Sequence, residues 1–84
     1  MDRQAIFEKL TTVMAELFGL DRSTLTEEVR FQDLDLTSLD AIDLVIELQS
    51  FTGNKVAEGR LREVRTIGEM VSAFETQQAP GGNA

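Results

Sequence analysis

Apolar residues in this chain recur at intervals of three and four, and no stretch alternates apolar with polar between turn signals, so the pattern admits helices and leaves no strand candidate. Ile6, Leu10, Val13, Met14 and Leu17 make one stripe, and Gly19 is placed to end a first helix over residues 3–18. Thr37-Ser38-Leu39-Asp40 has the Ser/Thr-x-x-Asp form of a helix start. Ala41, Leu44, Val45 and Leu48 then share the inward face of a second helix, until Thr52-Gly53-Asn54 stops it. Thr66-Ile67-Gly68-Glu69 is another capping box, opening a third helix through Ile67, Met70, Val71 and Phe74. A basic segment from Glu58 to Val64 has room for one or two helical turns, and a further short turn fits Thr26 to Val29. The expected fold is all-α, an antiparallel bundle of three longer helices plus one short helix.

With 84 residues there is room for one domain. A domain of this size buries only about 60% of its unfolded surface, so the core is thin. Residues 1–76 are read as that domain. The segment 77–84, QQAPGGNA, has no apolar residue larger than alanine to anchor it and is read as a disordered tail. Between residues 19 and 37 the period is lost, yet Leu20, Leu25, Val29, Phe31, Leu34 and Leu36 are too many apolar residues for a solvated linker. A connection this long in a compact domain is functional or hides an element, and this one must pack on the core.

The chain contains neither cysteine nor histidine. That removes disulfides, thiolate zinc sites, the usual transition-metal ligands and the commonest general base, and with them a self-sufficient triad hydrolase; no metal site is expected. A net charge of −7 disfavours nucleic acid and anionic membranes and favours partners with basic patches. The N-terminus leads into an amphipathic stretch and not an apolar run, so neither a signal peptide nor a membrane span is expected, and the protein is placed in the cytoplasm as a monomer when free.

The charge is concentrated. Residues 31–51, FQDLDLTSLDAIDLVIELQSF, hold Asp33, Asp35, Asp40, Asp43 and Glu47 and no basic residue. The second helix also has more apolar surface than a core stripe needs, because Leu39, Ile42 and Ile46 form a second stripe. Two readings stand: a docking face in which acids steer encounter and aliphatic groups supply contact, or an ordinary solvated helix with Ile42 and Ile46 packed beneath the 19–37 connection. Ser38 stands at the start of this helix, where free N–H groups and the helix dipole stabilise a phosphate diester. On position alone, a serine there is far more often a cap than a modified residue.

Asp33-Leu34-Asp35-Leu36-Thr37-Ser38-Leu39-Asp40 and the acidic helix after it resemble the modification site of acyl carrier proteins, and the similarity extends over residues 3–76. The resemblance implies that Ser38, flanked by Thr37 and Leu39, receives phosphopantetheine from coenzyme A. A phosphopantetheinyl transferase attaches it, and its terminal thiol carries the cargo. Family members usually have aspartate where this chain has Thr37, which removes one charge beside the phosphate and bears on which transferase acts. Asp35, Leu39, Asp40, Ile42, Asp43, Ile46 and Glu47 become the partner face. The partners implied are ketosynthase, ketoreductase, dehydratase and acyl-loading enzymes with basic docking patches. Leu36 to Leu44, Leu48-Gln49, Thr52-Gly53 and Val64-Arg65-Thr66-Ile67 are most similar to carriers of aryl polyene and related type II polyketide or fatty acid pathways. The carrier is acted on by separate enzymes and is not itself one. Folding of the cargo between the second and third helices would use Phe31, Leu48, Val56, Leu61 and Ile67 as walls.

Other readings of the same residues are a peptidyl or amino-acyl carrier, and an acidic helical interaction module without any covalent group. An EF-hand is excluded because its sixth position is Ser38 and its twelfth Leu44. Arg60, Arg62 and Arg65 are interleaved with Glu63 and lack aromatic company, which argues against nucleic-acid binding.

Overall fold

The computed structural model describes residues 2–78, and among them the chain is all-helical: α1 (Arg3–Phe18), α2 (Ser38–Thr52), the short α3 (Glu58–Leu61) and α4 (Ile67–Gln78). α4 runs two residues into the segment read as a tail, and the rest of that segment lies outside the described residues. Each long helix is delimited by local chemistry. Asp2 accepts from the Ala5 N–H to start α1, and Gly19 and Gly53 close α1 and α2 in the left-handed conformation, at φ 69° and 77°. At the start of α4, Thr66 Oγ1 accepts from the Glu69 N–H while Glu69 Oε1 accepts from the Thr66 N–H, both at 3.1 Å, completing the expected capping box.

α1 packs against both α2 and α4. Its stripe Ile6, Leu10, Val13 and Met14 is buried against Leu44 and Leu48 of α2 and Ile67, Val71 and Phe74 of α4. Leu17, placed in that stripe by its spacing, is instead 53% exposed, since the chain turns away at Gly19 one residue after α1 ends. Thr11 is buried in the same face, and its hydroxyl donates to the Phe7 carbonyl at 3.0 Å, so no polar group is left unpaired there.

The 19–37 connection does pack on the core, and it holds two elements that the sequence pattern concealed. One-turn 3₁₀ helices occupy Arg22–Thr24 and Phe31–Leu34, and the short turn expected at Thr26 to Val29 is a single hydrogen-bonded turn, closed by Val29 N–H donating to the Thr26 carbonyl at 3.2 Å. Buried Leu25 anchors the segment. The segment is also bonded to the start of α4: Phe31 N–H donates to Arg65 O, Ile67 N–H to Val29 O and Gly68 N–H to Glu27 O, each at 3.0 Å. Arg3 adds a side-chain clamp over this joint. Its guanidinium reaches Glu27 at 2.6 Å, Ser72 at 2.7 Å, Glu75 at 3.0 Å and the Gly68 carbonyl at 3.2 Å. The hydrogen bond from Arg3 holds the Glu27 carboxyl below its ordinary value.

Candidate functional site

Helix α2 opens with Thr37 as N-cap: its hydroxyl accepts from the Asp40 N–H at 3.1 Å, and Asp40 Oδ2 accepts from the Thr37 N–H at 3.0 Å. The cap is therefore Thr37 and not Ser38, which is the first helical residue. The chain reaches this point through Asp35, which adopts the left-handed conformation at φ 59° and closes the 3₁₀ turn before it. Aspartate tolerates that region better than most residues, so one of the acids of the segment also makes the turn that aims α2.

The second stripe of α2 is in solvent. Leu39 is 73% exposed, Ile42 51% and Ile46 55%, which overturns the reading in which the two isoleucines lie beneath the connection. Asp43 and Glu47 are exposed between them, Asp35 is exposed just ahead of α2, and half-buried Asp40 serves the cap. Leu44 and Leu48 are wholly buried, whereas Ala41 and Val45, assigned to the same inward face, are only half-buried because they border a groove.

That groove, of about 700 Å³, runs between α2 and α3. α2 contributes Ala41, Ile42, Val45, Ile46 and Gln49; the α3 side contributes Glu58, Leu61, Arg62 and Val64; Phe31 and Met70 complete the lining. Of the five wall residues expected from sequence, Phe31 and Leu61 line it. Leu48, Val56 and Ile67 do not, since each is spent in the core that joins the helices. Gln49 was missed, although its spacing of four beyond Val45 places it in the same row. The arginines nearby are partly engaged within the chain: Arg62 pairs with Glu58 at 3.0 Å, and Arg65 Nη1 donates to the Arg62 carbonyl at 2.8 Å.

Among the described residues no cluster of carboxylates could hold a metal ion, and no helix is long and apolar enough to cross a membrane. What the α2 start offers is a helix N-terminus. Its capping box occupies the Thr37 and Asp40 N–H groups, and the N–H groups of Ser38 and Leu39, in the first turn, have no carbonyl of their own helix to bind. A phosphate ester at this end meets those donors and the positive end of the dipole, with an apolar groove alongside for whatever the ester carries, so the residues present fit a phosphopantetheine group. When bound, that group supplies the thiol this cysteine-free chain lacks.

Residues 8–74 match the family described as the phosphopantetheine attachment site. Acyl carrier protein 2 of Ralstonia nicotianae is 35% identical, over 90% of this chain and 95% of its own length. An acyl carrier protein of Thermotoga maritima is 39% identical, over 87% of this chain and 91% of its own. The fold agrees: the crystal structure of an acyl carrier protein from Thermotoga maritima superposes with a TM-score of 0.80 at 23% identity, covering 94% of this chain and 93% of that one. A capped helix start fit for a phosphate ester, an exposed acidic and aliphatic face, and a match spanning nearly all of the helical region have one common explanation: this chain belongs to the acyl carrier protein family, whose members are carriers and not catalysts.

Proposed function

We propose that Ser38 is the residue that bears phosphopantetheine, and that Asp35, Leu39, Asp40, Ile42, Asp43, Ile46 and Glu47 form the face on which partner enzymes dock. The cargo is an acyl or polyketide chain held as a thioester, in an aryl polyene, polyketide or fatty acid pathway of the cytoplasm. The transferase that loads the arm, and ketosynthase, ketoreductase, dehydratase and acyl-loading enzymes with basic patches, are the partners. The observation that carries this reading is the exposed stripe Leu39, Ile42 and Ile46, interleaved with Asp43 and Glu47, running along α2 from the serine that opens it. Exposed acids favour encounters that are fast, weak and salt-sensitive, as a carrier serving several enzymes in turn requires. The groove beside α2 is the place where a short cargo is sheltered between visits.

The test is intact-protein mass spectrometry after incubation with coenzyme A, magnesium and a broad-specificity phosphopantetheinyl transferase. Wild type gains one phosphopantetheinyl group and Ser38→Ala gains none. Because Thr37 is the cap, Ser38→Ala keeps the capping box. Addition to the Ser38→Ala protein, or to neither, would refute the assignment; the second result favours the unmodified interaction module. Loading with amino-acyl donors in place of acyl donors separates the peptidyl carrier reading.

A further inference from the structure

The groove beside α2 is apolar except for three side chains, and these differ in kind. Glu58 and Arg62 satisfy each other in an exposed ion pair at 3.0 Å. Gln49 is half-buried in the wall; its backbone carbonyl accepts from the Gly53 N–H at 2.8 Å, and its side-chain amide has no hydrogen-bond partner among the described residues. It lies two turns beyond Ile42 on the same wall, roughly 16 Å along the helix from Ser38 at 1.5 Å per residue.

While the groove holds water, that amide is hydrated. A chain entering the groove displaces the water, and a plain hydrocarbon then leaves both the NH₂ and the carbonyl of Gln49 unpaired in apolar surroundings. A chain with an oxygen at that depth does not, because the amide can donate to a carbonyl and accept from a hydroxyl. A wall built only of aliphatic groups discriminates poorly between such chains, whereas a buried polar group rejects the one that cannot pair with it. Resting on the reading that Ser38 bears the arm, we propose that Gln49 is a specificity residue that favours cargo carrying a keto or hydroxyl oxygen over saturated acyl cargo.

The test uses the phosphopantetheinylated protein, its mass verified first, carrying hexanoyl, 3-oxohexanoyl or 3-hydroxyhexanoyl thioester. Two quantities are read: the NMR signal of the Gln49 side-chain amide, and the rate of thioester cleavage by hydroxylamine relative to the same thioester on free pantetheine. In wild type the two oxygenated cargoes shift the Gln49 amide signal away from its position with the bare arm. They are also protected about fivefold better than in Gln49→Leu, the factor that one ordinary hydrogen bond supplies. Hexanoyl is protected at least as well in Gln49→Leu as in wild type. Gln49→Met, which keeps the unbranched side chain, behaves as Gln49→Leu if α2 is intact in both by circular dichroism. The proposal is overturned if the amide signal is the same with the bare arm and all three cargoes. It is equally overturned if protection of the oxygenated cargoes survives both substitutions, or is lost in Arg62→Ala instead. Absence of the arm's mass before any cargo is added refutes the Ser38 assignment, and this proposal with it.

Discussion

Gly68, in the first turn of α4, stands where the 19–37 connection is hydrogen-bonded to that helix. A Cβ added there would lie 2.9 Å from Glu27 Cβ, 3.0 Å from the Glu27 carbonyl oxygen and 3.0 Å from Glu27 Oε1. Retreat is blocked, because the Gly68 N–H donates to that same carbonyl and Ile67 N–H donates to Val29 O, each at 3.0 Å. Relieving the contact therefore means overpacking strain of about 1–3 kcal/mol together with a weakened hydrogen bond of about 1 kcal/mol. Against this stands a helix-propensity gain of at most about 1 kcal/mol for alanine over glycine. The expected net effect of Gly68→Ala is a loss of about 1–3 kcal/mol, which in a domain this small lowers Tm by roughly 4–24 °C. Gly59 in α3 is the control: its added Cβ meets nothing within 4 Å, so Gly59→Ala should be neutral or stabilising by up to about 1 kcal/mol. Urea and thermal unfolding followed by far-ultraviolet circular dichroism measure both. A Gly68→Ala protein as stable as wild type, or the same sign for both substitutions, would refute the steric account of the joint.

Thr37→Ala removes the hydroxyl that accepts from the Asp40 N–H and should lower stability by about 1 kcal/mol; an unchanged urea midpoint would show the cap to be dispensable. The Glu27 carboxyl has a depressed folded value because Arg3 hydrogen-bonds it, so its contribution is complete above the ordinary carboxylate range and is lost as pH falls through that range and past the depressed value. Arg3→Met should flatten this part of the stability-against-pH curve below about pH 5, and an identical curve for the variant would contradict the clamp. Asp43→Lys with Glu47→Lys should leave Ser38 in place while slowing both arm attachment by the transferase and turnover by the other partner enzymes at low salt, and should converge with wild type as salt rises, because exposed charges are screened within about 10 Å at ~0.1 M. Unchanged kinetics at low salt would remove the docking face.

The long helices were legible because each is bounded by short-range chemistry: Asp2 and Gly19 for α1, Thr37 with Asp40 and Gly53 for α2, Thr66 with Glu69 for α4. The 19–37 connection was not, because its order comes from partners more than thirty residues away, through the Phe31–Arg65 and Gly68–Glu27 hydrogen bonds. No local period encodes such contacts, and a three-residue 3₁₀ turn such as Arg22–Thr24 is too short to show one. The exposed stripe of α2 could be named residue by residue, since a helix has a fixed number of residues per turn. The groove walls could not, because whether Leu48 or Gln49 faces the cavity depends on how α2 is rotated against α1 and α3. Leu48 went to the core and Gln49 to the groove.

That rotation also decides which substitutions can be interpreted. Ile42 and Ile46 are more than half exposed and at the same time line the groove, so truncating either alters the docking surface and the cargo wall together. Asp40 is compromised in another way: reversing its charge removes the acceptor of the Thr37 N–H and destabilises the start of α2, so slower partner turnover would report a loosened helix as readily as a lost contact. Asp43 and Glu47 are exposed and belong neither to the groove nor to the cap. Gln49 lines the groove and stands one turn beyond the last of the exposed isoleucines. Because the two pairs of properties separate along one helix, recognition by partners and recognition of cargo can be tested independently. A double variant at Asp43 and Glu47 that changed cargo protection, with the fold intact, would show that the two are coupled through α2.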